Sequence, residues 1–214
     1  MISPTGAFLR SAYVVTHVFL GSKRHLMERV FTDQNEPMYR LAKPLLLRDI
    51  SRPDFATFIR LQFAATGQQI TGDAIDRALE ITEDHPHDTQ ELCYFTWSIA
   101  RNEGVATTPD IVDRALARVV EAENARYTTL WDQLSAHQRL VLTALVSSGG
   151  DGVLSEEYRR HNRLGAASSV QASLRRLVER EFVESSPRGT YQVLDVFLRA
   201  WVRRMTSPRS FDPA

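Results

Sequence analysis

Three groups of side chains have the types and spacing to do chemistry. The first is Gly21-Ser22-Lys23-Arg24, in which a hydroxyl and two cations follow the β-branched and aromatic run YVVTHVFL at 13–20. If that run is a strand, Ser22 stands at its carboxyl end, where open α/β sheets bind ligands. The same Gly-Ser pair also suits a plain helix N-cap. The second group is His85-Pro86-His87, with Cys93 about two helical turns further on. Imidazoles two apart diverge on a helix and no ligand cluster accompanies them, so no metal site is expected. Cys93 lies among Leu92, Phe95 and Trp97 and reads as a buried, inert thiol. The third group is Arg175, Arg176 and Arg180 on one helical stretch, with Arg188 in the loop that follows. Cations on a helix followed by a loop are what contacts to a DNA backbone require. Glu179, Glu181 and Glu184 interleave with them and dilute the field, and no aromatic residues alternate with them to stack single-stranded bases. Contacts within the protein are the alternative use. No residue is assigned a catalytic role.

The elements that must hold these groups follow from apolar spacing and helix punctuation. The run at 13–20 feeds a helix over 23–31 through Gly21-Ser22, and a second short run, Leu45-Leu46-Leu47, follows Pro44. This is the pattern of a parallel, doubly covered sheet. Two short strands cannot stand alone, so the rest of that sheet would lie outside the sequence, leaving an exposed edge at 13–20. From Ser51 to Leu134 the pattern is helical. Ser51-Arg52-Pro53-Asp54, Thr71, Asp84-His85-Pro86 and Thr107-Thr108-Pro109-Asp110 each open a helix, since capping hydroxyls or carboxylates and first-turn prolines suit unpaired N–H groups. From Ser135 onward, helices over 136–146, 155–161 and 168–180 precede two short β runs, 182–184 and 191–193. These flank Ser185-Ser186-Pro187-Arg188-Gly189. Three helices and a hairpin make the winged helix-turn-helix plan. A last amphipathic helix covers 195–204.

Length and composition agree with this plan. The 214 residues are 43% hydrophobic and 24% charged, a globular composition that excludes wholesale disorder. No apolar run reaches the roughly 18–20 residues of a membrane span, and the N-terminus does not read as a signal peptide. One cysteine suits a reducing cytoplasm. The zero net charge hides an asymmetry: residues 1–45 carry six basic against three acidic groups, 46–134 eight against fifteen, and 135–206 eleven against seven. Such blocks follow domain edges, and a basic block permits an anionic partner.

The stretches VFLGSKRHLMERVF with LLLRDI, EDHPHDTQELCYFTW, LSAHQRLVLTAL and GTYQVLDVFLRAW, in this order, resemble the C-terminal half of an AAA+/STAND-type P-loop ATPase of the archaeal ATPase-like family. The resemblance covers nearly the whole chain. It implies a remnant of the ATPase sheet with its sensor-1 strand at 1–50, a helical lid at 51–134, a winged helix at 135–206 and a tail at 207–214, in a mainly α chain. It implies nucleotide contacts for Ser22 as a sensor, Arg24 beside it, and His85 and Pro86 against the base. ATP and Mg²⁺ are implied for the intact protein only. The family's phosphate-binding loop, G-x-x-x-x-G-K-[ST], and its acidic strand end are absent from this sequence. Both would lie upstream of Met1, so the expected partners are that P-loop segment and, through the winged helix, DNA or protein. The resemblance implies no hydrolysis by this polypeptide alone. The rival expectation is a winged-helix DNA-binding regulator with a helical dimerisation or ligand domain.

Overall fold

The computed structural model describes residues 17–21, 24–43, 45 and 50–206. They fall into two units, divided between Asp49 and Ile50. The chain is mainly α-helical.

In the first unit, helix α1 spans Arg24–Thr32. The Thr32 hydroxyl donates to the Glu28 carbonyl, and the Arg40 amide donates back to the Phe31 carbonyl at 3.0 Å. Phe19 and Phe31 meet with ring centroids 5.2 Å apart. The expected strand is not seen where it can be judged: residues 17–20 pair with no neighbour, and Val18 and Leu20 are 76% and 87% exposed. Residues 13–16, 46 and 47 lie outside the described residues. A strand is held by its ladder partners, and the described residues offer none here. Among the described residues no parallel sheet forms. The two-stranded antiparallel hairpin near the C-terminus is the sheet that does.

The second unit opens with α2 (Arg52–Ala65), α3 (Gly72–Thr82), α4 (Pro86–Glu103) and α5 (Pro109–Ala122). Ser51 and Thr71 cap α2 and α3 by accepting the amides of Asp54 and Ala74, while Pro86 and Pro109 occupy first positions where no N–H is needed. The expected apolar face of α2 divides. Phe55, Ile59 and Phe63, spaced by four, pack on Ile75 and Leu79, whereas Phe58 and Leu61 face solvent. The loops before α3 and α5 pair side by side, with the Thr71 amide on the Thr107 carbonyl and the Thr107 amide on the Gln69 carbonyl.

A further helix, α6 (Asn124–Asp132), follows α5 after a break at Glu123. Sequence patterning does not separate it, because no proline or glycine marks the joint. Next come α7 (Ala136–Ser148), α8 (Glu156–His161) and α9 (Ala167–Glu179). Strands β1 (Val183–Ser185) and β2 (Tyr191–Val193) then pair antiparallel with Val183 opposite Val193, and α10 (Val196–Thr206) closes the chain. Ser135 and Gln138 form a reciprocal capping box at the start of α7, a strong local stop-and-start signal. One cluster of buried side chains runs from Ala74 on α3 through α4 to α10 as far as Val202. The helices from α3 onward and the winged helix therefore share a core, while the buried face of α2 belongs to a second cluster with Ile75 and Leu79.

Candidate functional site

The turn between α3 and α4 carries the second group of candidates. Glu83 and Asp84 both adopt left-handed backbone, φ 51° and 60°, and the Asp84 and His85 amides bond back to the carbonyls of Leu79 and Thr82. The buried hydroxyls of Thr82 and Thr89, 2.7 Å apart, bridge the two helix ends beneath the turn. His85 is the N-cap of α4 but gives it no side-chain bond. Its Nδ1 instead lies 3.2 Å from Asp88, and His87 Nδ1 lies 3.3 Å from the other Asp88 oxygen. Both imidazoles are exposed. One carboxylate between two divergent rings is not a metal cage, and no cluster of three His, Cys, Asp or Glu suited to a metal occurs among the described residues. Ser22 lies outside the described residues, and Arg24 is the first residue of α1.

Cys93 packs against both apolar clusters, and burial pushes its thiol up to about 12. The thiol is therefore protonated and unreactive at neutral pH.

The third group gathers on the winged helix. His137 on α7 ties the motif together, with Nδ1 2.8 Å from the Ser173 hydroxyl on α9 and Nε2 donating to the Leu164 carbonyl in the turn before α9. The loop after α7 joins the hairpin edge: the Tyr191 amide donates to the Gly150 carbonyl, and Thr190 donates to Asp151. Gly150 is required there, since a Cβ would lie 1.6 Å from the Tyr191 carbonyl oxygen.

A groove of about 440 Å³ lies between α9 and the hairpin, lined by Gln171, Arg175, Val178, Ser185 and Tyr191. Among the described residues the Arg175 guanidinium has no acidic partner, so its charge is available to a ligand. Arg176 is exposed and pairs with Glu179 at 2.8 Å. Arg180 is differently engaged: it donates to the backbone carbonyl and side chain of Gln133 and stacks over Phe182, joining the end of α9 to the loop before α7. Arg188 is exposed in the tight turn of the wing, between Ser186 and Gly189. Gln171, Ser185 and Tyr191 are groove residues that sequence reasoning did not single out. Strand alternation was the available signal for Tyr191, which points away from Gln192.

Residues 125–204 match the family model of a probable winged helix domain. The chain carries a winged helix. Its matched stretch starts within α6, which agrees with the ties of Tyr127 and Asn124 to the far end of the module: the Tyr127 hydroxyl donates to Asp195, and Trp201 Nε1 donates to Asn124. The structure is also similar to the Walker-type ATPase PABY2304 of Pyrococcus abyssi, with TM-score 0.57 and 16% identity, over 80% of this chain and 47% of that one. At that identity the likeness is one of fold. A Holliday junction branch migration motor, RuvB of Thermotoga maritima, aligns over 69% of this chain and 47% of its own at 16% identity; its TM-score of 0.35 is too low to carry weight. The chain thus spans about half the length of the solved structures it matches. No curated protein matches it.

Proposed function

We propose that this chain is the lid and winged-helix portion of an ATP-binding ATPase of the AAA+/STAND type, sensing nucleotide state at the lid and contacting a partner through the winged helix. The observation that carries the reading is the fold likeness to a Walker-type ATPase over four-fifths of the chain. A core that runs unbroken from the helical region into the winged helix supports a mechanical role, because packed cores move between discrete arrangements rather than deform freely. His85 and Pro86 are the proposed contacts for the base, with Ser22 and Arg24 as sensor residues beside the γ-phosphate. Asp84 and Asp88 flank the His85–Pro86 turn and would repel a triphosphate. The acidic residues there do not suit the phosphates, the contact to the base rests on the family resemblance, and we assign no step of hydrolysis to this chain. ATP and Mg²⁺ would be held by a P-loop segment, and the whole would work in the cytoplasm. Among the described residues no helix is long and apolar enough to cross a membrane.

For the partner, the Arg175 groove favours an anion, and duplex nucleic acid is the reading we adopt. Arg175, Arg176 and Arg188 would meet its phosphates, whereas Arg180, already bonded to Gln133, would hold the module's shape. Reading the coding sequence upstream of Met1 tests the ATPase assignment. A P-loop and an acidic strand end in the same frame support it. An in-frame stop codon directly upstream overturns it in favour of a free-standing winged-helix regulator.

A further inference from the structure

We infer that Glu83 is a clamp through which the turn between α3 and α4 sets the position of the wing against α9. Its two carboxylate oxygens reach two separate parts of the winged helix. Oε1 lies 2.6 Å from the Arg199 guanidinium on α10, and Oε2 accepts from the Gln192 side chain on β2 at 2.8 Å. The Arg199 side chain is 17% exposed and that of Glu83 47%, so the pair is shielded from water on the arginine side and screened on the other.

The hairpin register gives the contact its leverage. Gln192 stands opposite Glu184 on one face of the two-stranded sheet, while Tyr191 and Val193 point to the other, towards the groove and the core. The wing is thus gripped from behind by Glu83 and presents Tyr191 in front beside Arg175. Two strands of three residues do not hold their own position, so the wing sits where its contacts put it. Among those contacts are Gly150 on Tyr191, Asp151 on Thr190, the Phe182 carbonyl on the Leu194 amide, the buried Val183 and Val193, and Glu83.

The other end of the clamp is a segment under tension. Glu83 and Asp84 are consecutive non-glycine residues in left-handed backbone, a conformation that persists only where surroundings hold it. One Asp84 oxygen is buried without a hydrogen-bond partner, its nearest cation being Arg52 Nε at 3.8 Å. A change at the His85–Pro86 turn would carry the Glu83 carboxylate with it and shift the wing, opening or narrowing the groove. The clamp stands whatever partner the groove takes.

Hydrogen exchange on the full chain tests it, comparing wild type with Glu83→Ala, Glu83→Gly and Glu103→Gln. Glycine suits φ 51° better than glutamate does, so Glu83→Gly removes the clamp while relaxing the turn. Glu103→Gln disrupts an exposed pair with Arg114 on the helical region and serves as control. In both Glu83 variants the amides of 189–194 should exchange at least about tenfold faster, with those of 92–99 unchanged and the control like wild type. Unchanged wing exchange in either Glu83 variant overturns the clamp. So does an equal rise at 92–99, which would mean general loosening.

Discussion

The Tyr127 hydroxyl donates to the Asp195 carboxylate, 3.0 Å from Oδ1 and 3.1 Å from Oδ2, across 68 residues of sequence. The same carboxylate accepts the amides of Phe197 and Leu198 and so caps α10, while Arg126 approaches it at 3.2 Å. One side chain thereby starts the last helix and fastens it to α6, where the rings of Tyr127, Trp131 and Trp201 pack together. Burial and the neighbouring carboxylate push the Tyr127 phenol up, keeping it a proton donor. Asp195→Ala should cost about 2–3 kcal/mol, since it removes a cap and strands a buried hydroxyl. Tyr127→Phe, which leaves the cap intact, should cost about 1 kcal/mol. Urea unfolding checks both, and equal costs would contradict the shared role.

Gly150→Ala should destabilise the winged helix by about 3 kcal/mol, because the new methyl collides with rigid backbone at Tyr191 rather than with a side chain that can turn away. Gly72→Ala is the control, having open space around its α-carbon. Thermal unfolding of the two variants should differ accordingly.

If the α9–wing groove takes duplex DNA, affinity should fall steeply as salt rises, because each neutralised phosphate releases a counterion. Arg175→Ala and Arg176→Ala should each lower the magnitude of the log–log salt slope by about 1. Arg77→Ala should leave affinity unchanged, since that side chain is bound to Asp113 and Glu80 on the helical region. Arg180→Ala should act mainly on stability. Fluorescence anisotropy from about 50 mM to 200 mM salt separates these outcomes, and no binding at the low end would leave contacts within the protein as the winged helix's use.

The purified chain should turn over no ATP and bind Mg²⁺-ATP weakly, because phosphoryl transfer depends on positioning and charge neutralisation by a phosphate-binding loop that this sequence lacks. Calorimetry showing a tight, Mg²⁺-dependent complex would reveal a site of another kind.

Cys93 should make stability fall as pH rises. Its folded thiol stays protonated to about 12, whereas the unfolded thiol ionises near 9.0. Between these values the unfolded state binds fewer protons than the native state, so stability is full below pH 9 and declines by up to about 1.4 kcal/mol per pH unit above it. Cys93→Ala should flatten that decline, as measured by urea midpoints from pH 8 to 10.5. Alkylation of the native thiol at pH 8.5 should be at least about a hundredfold slower than in denaturant.

What the sequence determined by itself was local: the helix starts at Ser51, Thr71, Pro86, Pro109 and Ser135, and the hairpin around Pro187-Arg188-Gly189. Caps, prolines and turn residues act on backbone three or four residues away, so their effect is legible in a short window. The break at Glu123 that divides α5 from α6 was not legible, because no residue there opposes continued helix. Tertiary structure alone decided which arginine is spent: Arg175 and Arg180 lie on neighbouring turns of the same stretch, yet among the described residues the first has no acidic partner while the second meets Gln133, 47 residues earlier. It also decided that Glu83 faces Arg199 and Gln192, and that Gly150 lies against Tyr191. These pairings join residues from about 40 to over 100 positions apart. They form only when burial of a common apolar core brings distant segments together, and that burial depends on area removed from water, which specifies no partner in advance.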